Sequence, residues 1–568
     1  MTKHSHRILF LQLPRLETDM DREEENIPLA GFYLSHVLRQ VDNDPGYSFK
    51  FLSPQDESLD DTHLLALITQ WQPETICATL YLWNIERTLH ILKQLKNALP
   101  PCQVICGGPE VAKDHPFLLK ALIADVIVMG EGEPVFTSII KSIQTSQQTN
   151  FKQVAWKQVE GYKWGKNETP VSNLKDILPQ PNHPGWQPDS RGMAYLESSR
   201  GCPRRCSYCR YSQMRKKTTY IESEEILHRV KVLKNRGANQ IRFIDPTLNA
   251  NPDFEDLLGK LRILNSDHSI RFFAELQADL LSPNQITLLA QAGFFEVEVG
   301  VQSLDQDVLR NIHRPVRMDR LEQAIQLMTD NKIKVTIDLL YGLPDQDWND
   351  VIRSLEWARR FQNAYLQCMQ TLLLPGTEIR KTKDQWGIKA DDQPPYGVQS
   401  THSLTFDDIR FIEERLTQWQ LGDGMTQKFV GYRLPDLFKE RIPISLNTWS
   451  KDRLISGQSS RRTLVFQGQN LYSQMKTISA VIKQAIAEEP HMLWQFLLKP
   501  EREEPLDLLQ AMIREIQNRP SLWLDRFAYT AGWDRLVSRR VFIQLIKGHD
   551  YSKDWIQAAE TLLEDSFY

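Results

Sequence analysis

The sequence lacks three features that would each define a class of protein: a long apolar run, an excess of positive charge and an abundance of cysteine. No apolar stretch approaches the roughly 20 residues of a membrane-spanning helix, so we expect no membrane contact. A net charge of −4 argues against general nucleic-acid binding. The short apolar run near the start lacks the small-residue cleavage site of a signal peptide. Together with only seven cysteines, these absences predict a protein of the reducing cytoplasm.

Three of the seven cysteines are nevertheless close together, in the segment GCPRRCSYC. Cys202, Cys206 and Cys209 have C-x3-C-x2-C spacing and follow a strand-like run. A structural zinc site needs a fourth cysteine or histidine, usually from a second pair, and no fourth cysteine lies nearby. The odd number and the spacing also argue against disulfides. Because a cubane cluster normally takes four thiolates, three predict a [4Fe-4S] cluster with one iron open to another ligand.

This cysteine segment resembles the cluster loop of the radical S-adenosylmethionine (radical SAM) enzymes. The resemblance implies that the open iron binds the amino and carboxylate groups of S-adenosylmethionine (AdoMet). It also implies that Tyr208, the aromatic residue before the last cysteine, lies beside the adenine. An external electron donor of the flavodoxin or ferredoxin type would then reduce the cluster.

Residues 194–375 repeat a strand–helix unit about six times, which predicts a partial (β/α)6 barrel. Catalytic groups of barrels collect at the carboxyl ends of the strands, and polar residues occur there in this sequence. Taken singly, each carboxylate is equally explained as a helix cap or a surface ion pair. Their positions together resemble the AdoMet-binding positions of the family, which are here Asp245, Glu275, Glu298, Gln302, Ser303 and Gly342.

Residues 1–145 alternate five strand patterns with helical patterns and predict a doubly wound, Rossmann-like parallel sheet. Ligands of such sheets bind at the carboxyl ends of the strands. The glycine-containing loops there are weak signals alone, but placed before a radical SAM core they resemble the cobalamin-binding domain of the cobalamin-dependent radical SAM enzymes. The resemblance implies cobalamin contacts at Tyr81, Leu82, Trp83, Asn84, Gly107, Gly108, Pro109, Glu110, Gly130, Glu131, Gly132 and Glu133.

One motif of many cobalamin domains is missing. The sequence has no D-x-H-x-x-G, whose histidine binds cobalt from below, and the segment after the first strand contains no histidine. The resemblance therefore implies that residues 81–84 approach the lower face of the cobalt. For Trp83, a half-buried aromatic residue of the core is an equally good explanation.

The remaining segments are less informative. Residues 146–193 contain five prolines and are predicted to be a linker. Residues 376–568 show amphipathic helical patterns and are predicted to be mostly helical. This region resembles the helical tails of the cobalamin-type radical SAM proteins, which implies that it covers the barrel and selects the substrate.

The leading functional hypothesis is a cobalamin-dependent methyltransferase that acts on an unactivated carbon of a small metabolite or peptide. A second hypothesis is a radical enzyme that uses cobalamin for cyclisation, ring contraction or oxidation. A third, of another class, is an iron–sulfur or cobalamin sensor of redox state or light. The related methylthiotransferases of transfer RNA carry further cluster cysteines in their N-terminal domain, and these are missing here.

Overall fold

The computed structural model describes residues 5–16, 26–41, 46–169, 173–180, 183, 186–215, 217–420, 437–450, 457–526 and 538–567. Three large sheets, of seven, six and four strands, organise these residues. Nowhere in these ranges does a helix combine the length and apolar character needed to cross a membrane.

The first sheet contains the strands β1 (His6–Leu11), β2 (Tyr47–Phe51), β3 (Thr75–Thr79), β4 (Gln103–Gly107), β5 (Val126–Val128), β6 (Val154–Gln158) and β7 (Gly161–Trp164). Their spatial order is β2-β1-β3-β4-β5-β6-β7, parallel as far as β5. Its helices are α1 (Leu29–Val41), α2 (Pro54–Glu57), α3 (Asp61–Trp71), α4 (Ile85–Ala98), α5 (Leu118–Ala121) and α6 (Glu133–Thr145).

Strand β1 shows why this sheet is doubly wound. Ile8 and Phe10 belong to one buried cluster, while Leu9 and Leu11 belong to a second cluster on the opposite face. Successive side chains of a strand point to opposite faces, so a continuously apolar strand needs helices on both sides. The predicted Rossmann-like domain is therefore confirmed.

Part of the predicted linker belongs to this first sheet. Strands β6 and β7 pair antiparallel with β5 and with each other. Trp156 of β6 is buried, and its indole N–H donates to the carbonyl of Thr149 at 3.1 Å. The predicted linker, residues 146–193, therefore contains two strands of the first sheet, which are too short for a clear periodic pattern.

The second sheet is the barrel. The strands of this region are β8 (Met193–Leu196), β9 (Ser199–Arg200), β10 (Thr219–Tyr220), β11 (Gln240–Phe243), β12 (Arg271–Leu276), β13 (Phe294–Gln302), β14 (Lys334–Tyr341) and β15 (Ala364–Gln370). The helices are α7 (Leu174–Ile177), α8 (Arg210–Met214), α9 (Ser223–Asn235), α10 (Phe254–Leu264), α11 (Pro283–Ala292), α12 (Gln306–Asn311), α13 (Met318–Asp330) and α14 (Trp348–Ala358). Six strands run parallel in the order β15-β14-β13-β12-β11-β8, which confirms the predicted partial barrel. Strands β9 and β10 form a small antiparallel pair beside the cysteine segment.

The region after the barrel contains the strands β16 (Lys389–Ala390), β17 (Val398–Ser400), β18 (Glu440–Pro443), β19 (Arg461–Gly468), β20 (Leu493–Pro500) and β21 (Arg539–Ile543), and the helices α15 (Glu378–Lys381), α16 (Phe406–Gln420), α17 (Met475–Glu488), α18 (Asp507–Gln517) and α19 (Lys553–Phe567). Short 3-10 helices occur at Leu248–Ala250, Ala278–Leu280, Lys383–Trp386, Tyr472–Gln474 and Trp523–Arg526.

Strands β18 to β21 form a four-stranded parallel sheet, so the prediction of a mostly helical region was wrong here. The predicted amphipathic helices are present as α16, α17 and α18. The missed strands are short apolar runs, which periodicity alone cannot distinguish from buried helix segments.

This third sheet contacts the first domain. Arg462 of β19 forms a buried ion pair with Asp60, at the N-terminus of α3. The carboxylate of Glu489 accepts the backbone N–H groups of Asp61 and Thr62, at 3.1 and 3.2 Å. A carboxylate at a helix N-terminus satisfies amides that the helix itself leaves unpaired.

Candidate functional site

A cavity of about 330 Å³ lies inside the barrel, and all three cysteines of the cluster segment line it. Four further residues predicted from the sequence line the same cavity, namely Tyr208, Glu275, Glu298 and Gln302. Its apolar wall consists of Leu276, Leu340, Met369, Leu372 and Leu374. The structure therefore brings together seven of the ten residues that the sequence assigned to the cluster and AdoMet.

Backbone contacts hold the cysteine segment in place. Gly201 has φ +101°, and a Cβ there would lie 2.9 Å from the Cα of Thr218, so only glycine allows this approach. The hydroxyl of Ser212 donates to the carbonyls of Cys206 and Cys209, at 3.2 and 3.0 Å. The segment is thus folded tightly enough to present its thiols to one cavity.

Arg314 places a positive charge beside these thiols. Its Nη1 donates to Cys206 Sγ at 3.5 Å, and its Nη2 donates to the carbonyl of Gly300 at 2.5 Å. Three thiols on one cavity wall, with a guanidinium beside them, suit an anionic thiolate-bound cluster. Within the described ranges, no group of three or more His, Cys, Asp or Glu residues is arranged around a single metal ion.

Three carboxyl groups face the cavity from neighbouring strands: Glu275 on β12, Glu298 on β13 and Asp338 on β14. Burial and the nearby Glu298 raise the pKa of Glu275 to about 7, and Arg314 partly opposes this shift. The Glu275 side chain is exposed to the cavity. Because the cavity lies inside the barrel, the surrounding protein still separates this carboxyl group from bulk water. Burial and Glu298 also raise the pKa of Asp338.

Four residues that line the cavity each carry a buried polar atom with no hydrogen-bond partner among the described residues. These atoms are Asp338 Oδ1, Thr371 Oγ1, Gln277 Nε2 and Arg314 Nε. Buried polar atoms are normally paired, so this set of donors and acceptors fits a polar ligand such as the methionine and ribose parts of AdoMet. The sequence had not indicated Asp338, Gln277, Thr371 or Arg314, because they lie within strands or in loops without a motif.

Three predicted AdoMet residues lie outside the cavity lining. Asp245 is fully buried and accepts from the backbone N–H and hydroxyl of Ser198, at 3.1 and 2.8 Å. The hydroxyl of Ser303 accepts the backbone N–H of Asp305 at 3.1 Å, as in a turn. A Cβ on Gly342 would face Val398 at 3.3 Å. These contacts give Asp245, Ser303 and Gly342 structural roles, and their contact with AdoMet stays a prediction.

At the carboxyl edge of the first sheet, the glycines leave open space. A Cβ on Gly107 would have only the carbonyl of Val128 within 4 Å, at 3.8 Å, and one on Gly130 would have nothing. Gly108 instead has φ +108° and packs on the neighbouring loop, where a Cβ would lie 2.6 Å from the carbonyl oxygen of Leu80. Backbone without side chains along this edge fits the close approach of a large ligand such as cobalamin.

The side chain of Asn84 holds the loop after β3 in place through hydrogen bonds. Asn84 is buried; its Oδ1 accepts the backbone N–H of Tyr81 at 2.9 Å, and its Nδ2 donates to the carbonyl of Leu13 at 3.0 Å. The rings of Tyr81 and Trp83 stack at 4.4 Å. Leu82 and Trp83 pack against a small buried cluster that includes residues of the third region. Asn84 therefore shapes this loop, and Trp83 is at least partly a packing residue.

The acidic side chains of the other two loops have partners elsewhere in the protein, and two of them pair with arginines of the barrel region. Glu131 pairs with Arg215 at 2.6 Å, and Glu133 pairs with Arg200 at 2.8 Å. Glu110 is buried and contacts His115 and Tyr396, as described below. The cobalamin contacts of these three residues stay predictions, and the carboxylate oxygens concerned already have protein partners.

Gly132 and Pro109, the remaining two residues of the predicted cobalamin edge, contact their neighbours mainly through backbone atoms. Gly132 precedes α6, and a Cβ there would lie 3.3 Å from a methyl group of Leu34. The carbonyl of Pro109 accepts from Arg210 at 3.0 Å. Arginine partners of this kind carry no motif, so sequence patterns gave no sign of them.

Comparison with known proteins identifies the two domains. The family model of the radical SAM superfamily matches residues 196–358, and that of the B12 binding domain matches residues 25–140. These ranges contain, respectively, the cysteine segment with most of the barrel and the glycine loops of the first sheet.

Curated relatives share this combination at low identity. The cobalamin-dependent radical SAM methyltransferase TokK of Streptomyces tokunonensis is 23% identical, over 59% of this chain and 53% of its own length. The hopanoid C-3 methylase of Methylococcus capsulatus is 24% identical, over 63% and 69%. The anaerobic magnesium-protoporphyrin IX monomethyl ester cyclase of Rubrivivax gelatinosus is 22% identical, over 54% and 58%. The chain thus spans between about half and just over two thirds of these relatives.

Solved structures show the same fold. The radical S-adenosylmethionine methyltransferase TsrM of Kitasatospora setae, with tryptophan and an AdoMet analogue bound, matches with a TM-score of 0.55 at 13% identity, covering 67% of this chain and 76% of TsrM. The cobalamin-dependent radical enzyme OxsB, with aqua-cobalamin and AdoMet bound, matches with a TM-score of 0.56 at 13% identity, covering 73% and 66%. This chain therefore combines a radical SAM domain, which implies AdoMet and a [4Fe-4S] cluster, with a B12 binding domain, which implies cobalamin.

Proposed function

We propose that this enzyme methylates an unactivated carbon atom of a small metabolite or peptide. The observation that carries the proposal is the direct contact between the two cofactor edges. Arg200 and Arg215 flank the cysteine segment and bind Glu133 and Glu131 of the glycine loop after β5. A cobalamin edge joined to the AdoMet cavity suits the transfer of a methyl group between them.

In this reaction the protein would hold and orient the cofactors and enclose the reacting groups. Cys202, Cys206 and Cys209 would hold the cluster at the cavity wall. The carboxyl groups of Glu275 and Asp338 would bind polar parts of AdoMet. When bound, the reduced cluster and AdoMet would supply radical chemistry for hydrogen abstraction, and cobalamin would supply a methyl carrier. The apolar wall around Met369 and Leu372 would exclude water from the reaction.

The electron donor proposed for this reaction is a flavodoxin or ferredoxin. Arg205 and Lys217 are exposed on and beside the cysteine segment, close to where an electron must enter. Complementary charge speeds the encounter of two proteins, so these residues favour a donor with an acidic surface.

The test is a product analysis with methyl-deuterated AdoMet, on protein produced with cobalamin and reconstituted without oxygen. Candidate small molecules and peptides are added, and products are analysed by mass spectrometry. Methyl transfer predicts S-adenosylhomocysteine, 5′-deoxyadenosine and a product carrying three deuterium atoms. Formation of 5′-deoxyadenosine alone, with an altered but unlabelled product, would refute methyl transfer. A sensor would produce neither nucleoside.

A second candidate is radical chemistry without methyl transfer, such as ring formation. The similarity to the cyclase of Rubrivivax gelatinosus favours it, because that protein is matched over a share of this chain comparable with the methyltransferases. The same product analysis separates the two candidates.

A further inference from the structure

The loop at residues 107–111, after β4, is held on one side by the cysteine segment. Arg210 directly follows Cys209, and its guanidinium donates to the carbonyls of Pro109 and Val111, at 3.0 and 2.8 Å. Gly376 leaves the space for this side chain, since a Cβ there would lie 2.2 Å from Arg210 Nη1. The cluster loop and the glycine loop are therefore joined through one arginine.

The same loop is held on its other side by Tyr396. The Tyr396 hydroxyl donates to Glu110 Oε2 at 2.6 Å. His115 Nε2 lies 3.2 Å from that carboxylate oxygen and 3.1 Å from the Tyr396 oxygen. All three side chains are buried, so water does not compete for these contacts.

Tyr396 is also part of the support behind the AdoMet cavity. Its carbonyl accepts the backbone N–H of Leu373 at 2.8 Å, between the cavity-lining residues Leu372 and Leu374. Two residues on, the backbone N–H of Val398 donates to the carbonyl of Thr371 at 2.9 Å. The backbone of Tyr396 has φ +66°, a conformation that residues other than glycine rarely adopt and that persists only where the surroundings fix it.

We propose that Arg210 and Tyr396 are positioning residues that clamp the loop at residues 107–111 and so set the separation between the cobalamin edge and the AdoMet cavity. Each residue reaches the loop from a segment that is itself part of the cavity: Arg210 from the cluster loop and Tyr396 from the cavity's supporting wall. The inference rests on the proposed two-cofactor reaction and goes beyond it by naming what fixes the geometry.

The clamp explains why Glu110 is acidic and buried. Its carboxylate accepts a short hydrogen bond from Tyr396 while the loop backbone on both sides of it, at Pro109 and Val111, is held by Arg210. A carboxylate accepts stronger hydrogen bonds than a neutral group, which suits a contact that must fix a loop without covering it. The neighbouring Gly107 remains open for the ligand.

The experiment measures the magnetic interaction between the reduced cluster and paramagnetic cob(II)alamin in the reconstituted holoenzyme, which depends steeply on their separation. The variants are Tyr396→Phe and Arg210→Gln, and the matched control is Tyr365→Phe, an exposed tyrosine on β15. For both clamp variants we expect cofactor contents within twofold of the wild type, a broadened distribution of separations, and about threefold more 5′-deoxyadenosine per product. The control should match the wild type.

Glu110→Gln tests the same hydrogen bond, between Tyr396 and Glu110, from its acceptor side. If the hydroxyl–carboxylate bond carries the effect, the Tyr396→Phe/Glu110→Gln double variant should be no worse than the more affected single variant. Fully loaded clamp variants with a wild-type separation and a wild-type product ratio would overturn the inference while leaving the proposed function intact. A wild-type protein that binds no cobalamin would overturn both.

Discussion

The two cofactor edges of this enzyme use their polar side chains in opposite ways. In the barrel, Asp338 and Gln277 line the cavity, and each keeps a buried polar atom without a partner among the described residues. At the edge of the first sheet, Glu131 and Glu133 turn away towards arginines of the barrel region, and Gly107 faces the open space. One site therefore presents side chains to its ligand, and the other presents backbone.

The difference follows from what each ligand needs. AdoMet is small and carries charged groups, so a few placed side chains can bind and orient it. Cobalamin is large, and its binding requires an unobstructed sheet edge more than any single charge. Acidic side chains at that edge can therefore form ion pairs with the barrel region, as Glu131 and Glu133 do.

The largest expected effect is the loss of the barrel site through one thiol. Cys202→Ala should remove cluster binding and reduce AdoMet cleavage at least about 1000-fold, because two thiolates cannot replace three. Iron content, the cluster absorption and the yield of 5′-deoxyadenosine report the result. Cys368→Ala, a buried cysteine of β15, is the control and should keep its cluster. AdoMet cleavage by the Cys202 variant would refute the cluster assignment.

A smaller effect is expected from one carboxylate of the cavity. Glu275→Ala should weaken AdoMet binding by about 10- to 100-fold and leave the cluster spectrum unchanged, since hydrogen bonds to charged groups contribute about 1.5–3 kcal/mol. Equilibrium binding of AdoMet to the reconstituted protein measures this. Glu296→Gln is the matched control, because Glu296 pairs with Lys334 at 3.4 Å and does not line the cavity. Equal affinities in both variants would show that Glu275 is structural.

At the cobalamin edge, a backbone position should matter more than an acidic side chain. Gly107→Ala fits the fold, because its Cβ would meet only one atom within 4 Å, and it places a methyl group at the open edge. We expect at least about tenfold weaker cobalamin binding with a thermal midpoint within about 2 °C of the wild type. Glu131→Gln should change cobalamin affinity less than threefold. If the Glu131 variant lost more cobalamin affinity than the Gly107 variant, the proposal that this edge binds its ligand through backbone would be wrong.

The sequence predicted the residues that belong to local patterns. Cys202 and its two partners were recognisable from spacing, and Glu275 from its place at the end of a strand, and both reach the cavity. Asp245 also lies at the end of a strand, as Glu275 does. Its carboxylate, however, accepts two hydrogen bonds from Ser198 inside the barrel. Whether a strand-end carboxylate points into a cavity depends on its neighbours in space, which a single sequence does not contain.

The residues that were missed act across long sequence separations. Arg314 reaches Cys206 over 108 positions, and Tyr396 reaches Glu110 over 286. The parallel sheet of the third region was missed for a different reason, since its short apolar strands lack a distinctive period. Local chemistry was thus predictable, and contacts between domains were not.

The smallest effect concerns the charge of Glu275 in protein without cofactors. Its folded pKa of about 7 lies above the ordinary value of 4.5, so the folded state holds a proton that the unfolded state has already lost at pH 6. Raising the pH from 4.5 to about 7 therefore destabilises the folded wild type relative to Glu275→Gln, which cannot ionise. Thermal midpoints of the two proteins should agree below the ordinary pKa of 4.5, where both states keep the proton, and the variant should become increasingly the more stable as the pH rises to about 7. A difference that does not grow with pH would mean that Arg314 neutralises Glu275, and the barrel would then hold its carboxylates charged, as the first sheet holds Glu131 and Glu133.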